Sequence, residues 1–141
     1  MIKVLVLGML LFASSLFGSQ IAWATDYQSG MQQAKMQNKP VLFVLSRHTC
    51  KYCVMLDNTT FKDEKVISTL NKNFISIISY SDEHDYTPEE LLTSATPALW
   101  FLLPNGEAMY QPLLGAMDAE NLLKALVVVK EDFDTTSKKA K

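Results

Sequence analysis

The chain has two cysteines, Cys50 and Cys53, in the run Arg47-His48-Thr49-Cys50-Lys51-Tyr52-Cys53. If Cys50 opens a helix, Cys53 follows one turn later on the same face, with the two Cα atoms about 5 Å apart, a separation that a disulfide spans. A thiol at a helix start faces unpaired backbone N–H groups and the positive end of the helix dipole, both of which favour the thiolate. This arrangement predicts Cys50 as the nucleophile. Cys53, deeper in the helix, keeps its proton and acts as the resolving thiol. Arg47, Lys51 and a protonated His48 add positive potential of the same sign. Such a pair works by opening and closing the Cys50–Cys53 disulfide, with no bound cofactor.

Other chemistries available to these residues fit less well. A purely structural bridge over four residues removes little unfolded-state entropy, about 2 kcal/mol by the loop formula. Structural zinc wants four ligands, whereas the chain has no second CxxC and only His48 and His84 as histidines. The best rival from a different class is a non-enzymatic copper(I) carrier, since Cys50, Cys53, His48 and Met55 are soft or borderline ligands close in sequence. His84, amid Asp82, Glu83 and Asp85, reads as a solvated loop residue.

The elements around the pair must place it. Asp26 to Asn38 is predicted helical, with Tyr27, Met31, Ala34 and Met36 as a weak apolar face before Lys39-Pro40. Val41-Leu42-Phe43-Val44-Leu45 is a continuous β-favouring run, as in a strand covered on both faces, and it leads into the cysteines. A short helix from Cys50 to about Asp57 and another from Asp63, carrying Val66, Ile67 and Leu70, precede the strand Phe74–Ile78. Strand, helical connection and strand imply a parallel crossover. Ser81 to Thr87 reads as a loop, and Pro88-Glu89-Glu90-Leu91-Leu92 as a helix start. Ala98–Leu103 is a third strand, turned by Pro104-Asn105-Gly106 into Met109–Leu114, where Pro112 requires a sheet edge. Trp100 and Phe101 read as core. Asp118 caps a last helix with Leu122, Leu123, Leu126, Val127 and Phe133 on one face.

The chain begins with Met1-Ile2-Lys3 and an apolar run from Val4 to Phe17, followed by the small-x-small sequence Ala22-Trp23-Ala24. This is a signal-peptide layout, with cleavage expected after Ala24 and an uncleaved anchor as the alternative. Residues 25–134 then form one domain, and 135–141, with Lys138, Lys139 and Lys141, a flexible basic tail. The composition of 13 basic and 15 acidic residues, net −2, offers no surface for nucleic acid. Export would place both thiols where a disulfide persists.

Taken in order, Val41 to Ser46 before Cys50-Lys51-Tyr52-Cys53, Phe61-Lys62-Asp63 with Val66-Ile67, Leu70-Asn71-Lys72-Asn73-Phe74, Ala95-Thr96-Pro97-Ala98 with Phe101, and Pro104-Asn105-Gly106-Glu107 before Gly115 resemble the thioredoxin superfamily. The similarity is to its exported single-domain members and covers Asp26 to Phe133. It implies an α/β thioredoxin fold with a central mixed sheet flanked by helices. It also implies a cis Pro97 facing the thiols, with Thr96 offering backbone groups to an extended substrate and Lys51 and Tyr52 in the substrate-binding surface. The chain departs from the common pattern at Thr49, Lys51 and Tyr52, where thioredoxins carry Trp and Gly-Pro. It also has Val44 in place of a buried strand aspartate, which leaves water, Lys39 or Glu107 to move the Cys53 proton. Thr96 and Tyr52 resemble bacterial disulfide isomerases. The resemblance implies an exported monomeric thiol–disulfide oxidoreductase acting on protein disulfides. Reduction is the expected direction, with a membrane electron donor recharging the pair, and oxidation or isomerisation is the alternative.

Overall fold

A computed structural model of the chain describes residues 19–139, so the apolar run from Val4 to Phe17 lies outside the described residues. The first helix, α1, spans Tyr27–Gln37 and is closed by a capping box in which Asp26 accepts from the Ser29 N–H and Ser29 reaches back. Asn38 ends it in the left-handed conformation at φ 48°. Its sheet-facing stripe is Tyr27, Met31 and Ala34, at i, i+4 and i+7. Met36 falls on the opposite side of the helix and is 78% exposed, contrary to its expected place on the apolar face.

Strand β1, Val41–Ser46, is buried at all six positions. Helix α2, Lys51–Asn58, follows, then a 3₁₀ turn at Thr60–Lys62 and helix α3, Glu64–Asn73. Asp63 starts α3 by accepting from the Lys65 and Val66 N–H groups at 2.9 and 3.0 Å. Strands β2 (Ile75–Tyr80), β3 (Ala98–Leu102) and β4 (Leu113–Leu114) complete a four-stranded sheet of order β2-β1-β3-β4. β1 runs parallel to β2 and antiparallel to β3, and β4 is the antiparallel edge. Helix α4, Ala119–Lys139, closes the fold.

The sheet separates two apolar layers. Val41, Phe43 and Leu45 of β1 meet Ile75, Ile77, Trp100, Leu102 and the α1 residues Met31 and Ala34. Leu42 and Val44 meet Leu56, Phe61, Ile67, Leu70, Phe101, Leu122 and Leu126 on the other face. At about 1.5–3 kcal/mol for each large apolar side chain removed from water, this double burial holds β1 in place and with it the loop that leaves its end. α1 approaches β2 closely at Gly30, where a Cβ would stand 2.5 Å from Cγ1 and Cδ1 of the buried Ile77.

Several elements differ from the sequence expectation. Glu89–Leu91 makes one 3₁₀ turn and no helix, because the Leu91 carbonyl accepts from Trp100 Nε1 at 3.0 Å instead of continuing a helical ladder. The strand expected over Met109–Leu114 shrinks to Leu113–Leu114. Its first part holds to β3 only through a bridge at Leu102 and Ala108 and the Met109 N–H to Phe101 carbonyl bond of 2.8 Å. Tyr110 then turns its hydroxyl to Asp132 on α4, and Pro112 has no N–H to give. On α4, Val127 is 54% exposed and Val129 takes the buried position. The helix also continues through Thr135 to Lys139, residues expected as a flexible tail. There the Lys130–Asp134 pair spans one turn, and Lys138 and Lys139 complement the helix C-terminus.

Residues 20–24 pack on the domain. Ile21 is buried among the core residues, Trp23 bridges in parallel to Ser76 at the free edge of β2, and its ring meets Phe61 edge-on at 5.3 Å. Asn71 ties the segment down, accepting from the Ala22 N–H at 2.8 Å and donating to the Gln20 carbonyl at 2.9 Å. A cut after Ala24, the position suggested by Ala22-Trp23-Ala24, would remove these contacts. A chain starting at Thr25 is expected to be about 2–5 kcal/mol less stable in urea denaturation than one starting at Gln20, the range for losing one buried aliphatic side chain. Equal midpoints would count against a structural role for the segment. Gly30→Val is expected to cost about 1–3 kcal/mol by overpacking against Ile77, as the same measurement can check.

Candidate active site

β1 ends at Ser46, and the chain must turn at once into α2. Cys50 takes the N-cap position with extended backbone (φ −89°, ψ 119°), and its Sγ accepts from the Cys53 N–H at 3.3 Å. Serine or aspartate side chains make this bond at other helix starts, satisfying an amide that has no partner within the helix. The Cys50 thiol also reaches the Thr96 carbonyl at 3.3 Å. Cys50 is partly exposed, while Cys53 is 1% exposed beneath it.

The two thiols are pushed in opposite directions. Burial alone would raise Cys50, but hydrogen bonds from the Cys53 and Thr96 side chains and the backbone N–H groups of Cys53 and Tyr52 outweigh it. They hold Cys50 below its ordinary range. For Cys53, burial dominates and the bond to Cys50 adds to it, so it lies above its ordinary range despite help from Ser46, Thr96 and the Arg47 backbone. The two shifts favour the thiolate at Cys50 and the protonated thiol at Cys53.

The Thr96–Pro97 peptide bond is cis, and Pro97 is buried at the start of β3, beside the thiols. The Gly115 N–H donates to the Pro97 carbonyl at 2.9 Å and so fixes this corner against β4. Lys51 and Tyr52 are exposed in the first turn of α2, with Lys51 Nζ 6.0 Å from the Tyr52 ring centre.

His48 is placed differently from what its charge suggested. Its ring stacks on Tyr80 at 3.9 Å, and Nε2 meets Glu83 Oε1 at 2.8 Å, so the ring is engaged by the acidic turn. Arg47 acts through its main chain, its carbonyl accepting from the Cys50 N–H at 3.4 Å. Of the four soft ligands that a copper(I) site would use, His48 is therefore turned to the acidic turn, and Met55 is 42% exposed. His84 stands exposed in a left-handed turn conformation (φ 59°), as expected for a loop residue.

Lys39 and Glu107 do not reach Cys53. Lys39 precedes Val41, which pairs with Leu102, and Glu107 accepts from the Leu103 N–H. Both therefore lie at the far end of the sheet, about 20 Å from the thiol end by the rise of six strand residues. The groups actually near Cys53 were not evident from the sequence. Ser46 is the one polar side chain in the buried run of β1. Asp57 lies one turn beyond Cys53 on α2, and burial raises its carboxyl despite the attraction of His48 and Lys62. Tyr80 is raised by burial first and then by the charges of Asp57, Glu83, Asp85 and Cys53.

Fold and site together define a thioredoxin-fold dithiol oxidoreductase. The chain matches the thioredoxin-like domain family over residues 27–130 and belongs to it. It is 24% identical over 129 residues to anterior gradient protein 2 of Xenopus tropicalis, covering 83% of this chain and 78% of that protein. It is 26% identical over 121 residues to the thiol:disulfide interchange protein DsbD of Campylobacter jejuni strain RM1221, covering 80% of this chain and 21% of that protein. Spermatogenesis-associated protein 20 of Rattus norvegicus is 30% identical over 63 residues, covering 45% of this chain, and the chain spans only 8% of that protein. Among solved structures, a thioredoxin from Thermus thermophilus superposes with a TM-score of 0.65 at 24% identity, covering 78% of this chain and 87% of that one. The oxidised C-terminal domain of Neisseria meningitidis DsbD gives 0.54 at 20% identity, covering 69% and 86%.

The opposed shifts lead to a direct expectation. With the protein reduced, iodoacetamide should modify Cys50 with a pH midpoint below the ordinary thiol value of about 8.5, and should leave Cys53 unmodified at that pH. Mapping the modified residue by mass against pH checks this. Equal labelling of both cysteines would contradict the assignment.

Proposed function

We propose that the chain is an exported thiol–disulfide oxidoreductase that reduces protein disulfides. The observation that carries this reading is the Cys50 thiol capping α2, with the buried Cys53 one turn behind it and the cis Thr96–Pro97 corner alongside. The Cys50 thiolate attacks a substrate disulfide and forms a mixed disulfide, releasing one substrate thiol. Cys53 then gives up its proton and attacks Cys50 Sγ, which expels the second substrate thiolate to take up a proton. The substrate leaves with two thiols and Cys50–Cys53 as a disulfide. An extended substrate segment lies along Thr96 and Pro97 by backbone hydrogen bonding, with Lys51 and Tyr52 contacting it.

Export is supported by the charged start, apolar run and small-residue site of the leader. No helix among the described residues is long and apolar enough to cross a membrane. The domain works as a monomer, in the periplasm or otherwise outside the cytoplasm. Reduction there consumes two electrons per cycle, so the pair is recharged by a membrane-embedded donor. The likeness to a thiol:disulfide interchange protein supports exchange with a protein partner of that kind.

Two measurements bear on this. Cys53→Ala should accumulate mixed disulfides through Cys50, visible as non-reducing bands lost with dithiothreitol. A similar yield from Cys50→Ala would reverse the two roles. In intact cells, alkylation of acid-quenched extracts should find Cys50 and Cys53 mainly as thiols; a mainly disulfide state would mean the protein oxidises its substrates instead.

A further inference from the structure

Four consecutive residues from the end of β2, Tyr80 to Glu83, hold two residues around the end of β1, Ser46 and His48. Ser46 pairs with Tyr80 in the parallel register, and Ser81 Oγ donates to the Ser46 carbonyl at 3.4 Å. Asp82 Oδ2 accepts from the His48 N–H at 2.9 Å. Glu83 takes His48 Nε2 at 2.8 Å, and the Tyr80 ring lies parallel to the imidazole, 12° between planes. The turn is in its own way fixed, because Asp85 Oδ2 accepts from the Tyr80 N–H at 2.9 Å. Every contact falls on the segment that delivers the chain to Cys50, and none falls on Cys50 itself.

We propose that the Tyr80–Glu83 turn is the positioning element of the nucleophile, with Asp82 and His48 as its positioning residues. Cys50 must sit within reach of two fixed partners at once, the Cys53 N–H and the Thr96 carbonyl, each 3.3 Å from its sulfur. The loop from Arg47 to Thr49 is exposed on all three residues and has no core packing of its own. Apart from the Cys50 N–H bond to the Arg47 carbonyl, its geometry comes from the clamp. Asp82 holds the main chain of His48, and Tyr80 and Glu83 hold its ring, so the loop is pinned through backbone and side chain together. The charged and titratable groups facing His48 are Glu83 and Asp82 from the turn, Tyr80 from β2 and Asp57 from α2. Loosening the clamp lets Cys50 drift from the amides that stabilise its thiolate, and its ionisation moves upward in pH.

This inference rests on Cys50 being the reactive thiol but not on what it reacts with, and the test keeps the two apart. The readout is the rate of Cys50 alkylation by iodoacetamide across pH in the reduced chain, with thermal unfolding followed in parallel. Asp82→Ala should slow alkylation at neutral pH by about fivefold, the worth of one hydrogen bond to a main-chain amide, and move the pH midpoint up. Asp82→Asn keeps an oxygen acceptor and should restore the rate to within about twofold of the unsubstituted chain, which a general loss of stability would not do. His48→Ala, which leaves the amide to Asp82 but removes the stacked ring, should give an intermediate rate. An Asp82→Ala rate within about twofold of the original, or an Asp82→Asn rate as low as that of Asp82→Ala, would overturn the proposal. If it falls while Cys53→Ala still traps partners through Cys50, the exchange reading stands alone. If the clamp variants respond as expected and no partner is trapped, the clamp stands and the exchange reading falls.

Discussion

A helix start leaves amide groups without partners, and in this protein a sulfur satisfies one of them. That bond, from the Cys53 N–H to Cys50 Sγ, ties structure to chemistry more directly than any other contact in the molecule. It gains strength when the sulfur is an anion, because a charged acceptor makes a stronger hydrogen bond than a neutral one. The cap therefore stabilises the reactive form of the protein and the start of α2 together. It also sets the asymmetry of the pair, since the residue that donates the amide keeps its own thiol beneath the helix, where burial favours the proton.

The rest of the fold serves to hold that helix start still. β1 is covered on both faces, so its end cannot shift without opening both apolar layers. β2 runs beside it in the same direction and brings the acidic turn to the same end of the sheet. β3 runs the other way, so that its beginning, with the Thr96–Pro97 corner, arrives there too. The start of α2 and the corner before β3, far apart in sequence, thus meet at one sulfur, while the turn after β2 reaches the loop that leads to it. The sheet order β2-β1-β3 makes this convergence a consequence of topology.

Much of this was legible along the chain. The buried run Val41–Leu45 announced a central strand because five successive apolar, mostly β-favouring residues leave no solvent face. Asp26, Asp63 and Asp118 announced helix starts because a short carboxylate next to a helix-forming run has one natural use. Elements whose limits depend on distant partners were not legible in the same way. Met109–Leu114 reads as a strand, yet most of it leaves the ladder because Tyr110 finds Asp132 on α4. Glu89–Leu91 reads as the start of a helix, yet it stops because Trp100 claims the Leu91 carbonyl.

At the site the division is sharper. The sequence by itself determined the two thiols, their spacing and their likeness to the thioredoxin pattern, because these are carried by the order of residues along the chain and by local helix geometry. Tertiary structure alone decided the surroundings. It took His48 from the role of a free positive charge and set it between Tyr80 and Glu83. It put Lys39 and Glu107 at the wrong end of the sheet, and it buried Ile21 and seated Trp23 on the edge of β2. The physical reason is the same in each case. An electrostatic or packing partner is chosen by distance in space, and strand pairing brings residue 80 beside residue 46 while sending residue 107 about a strand length away.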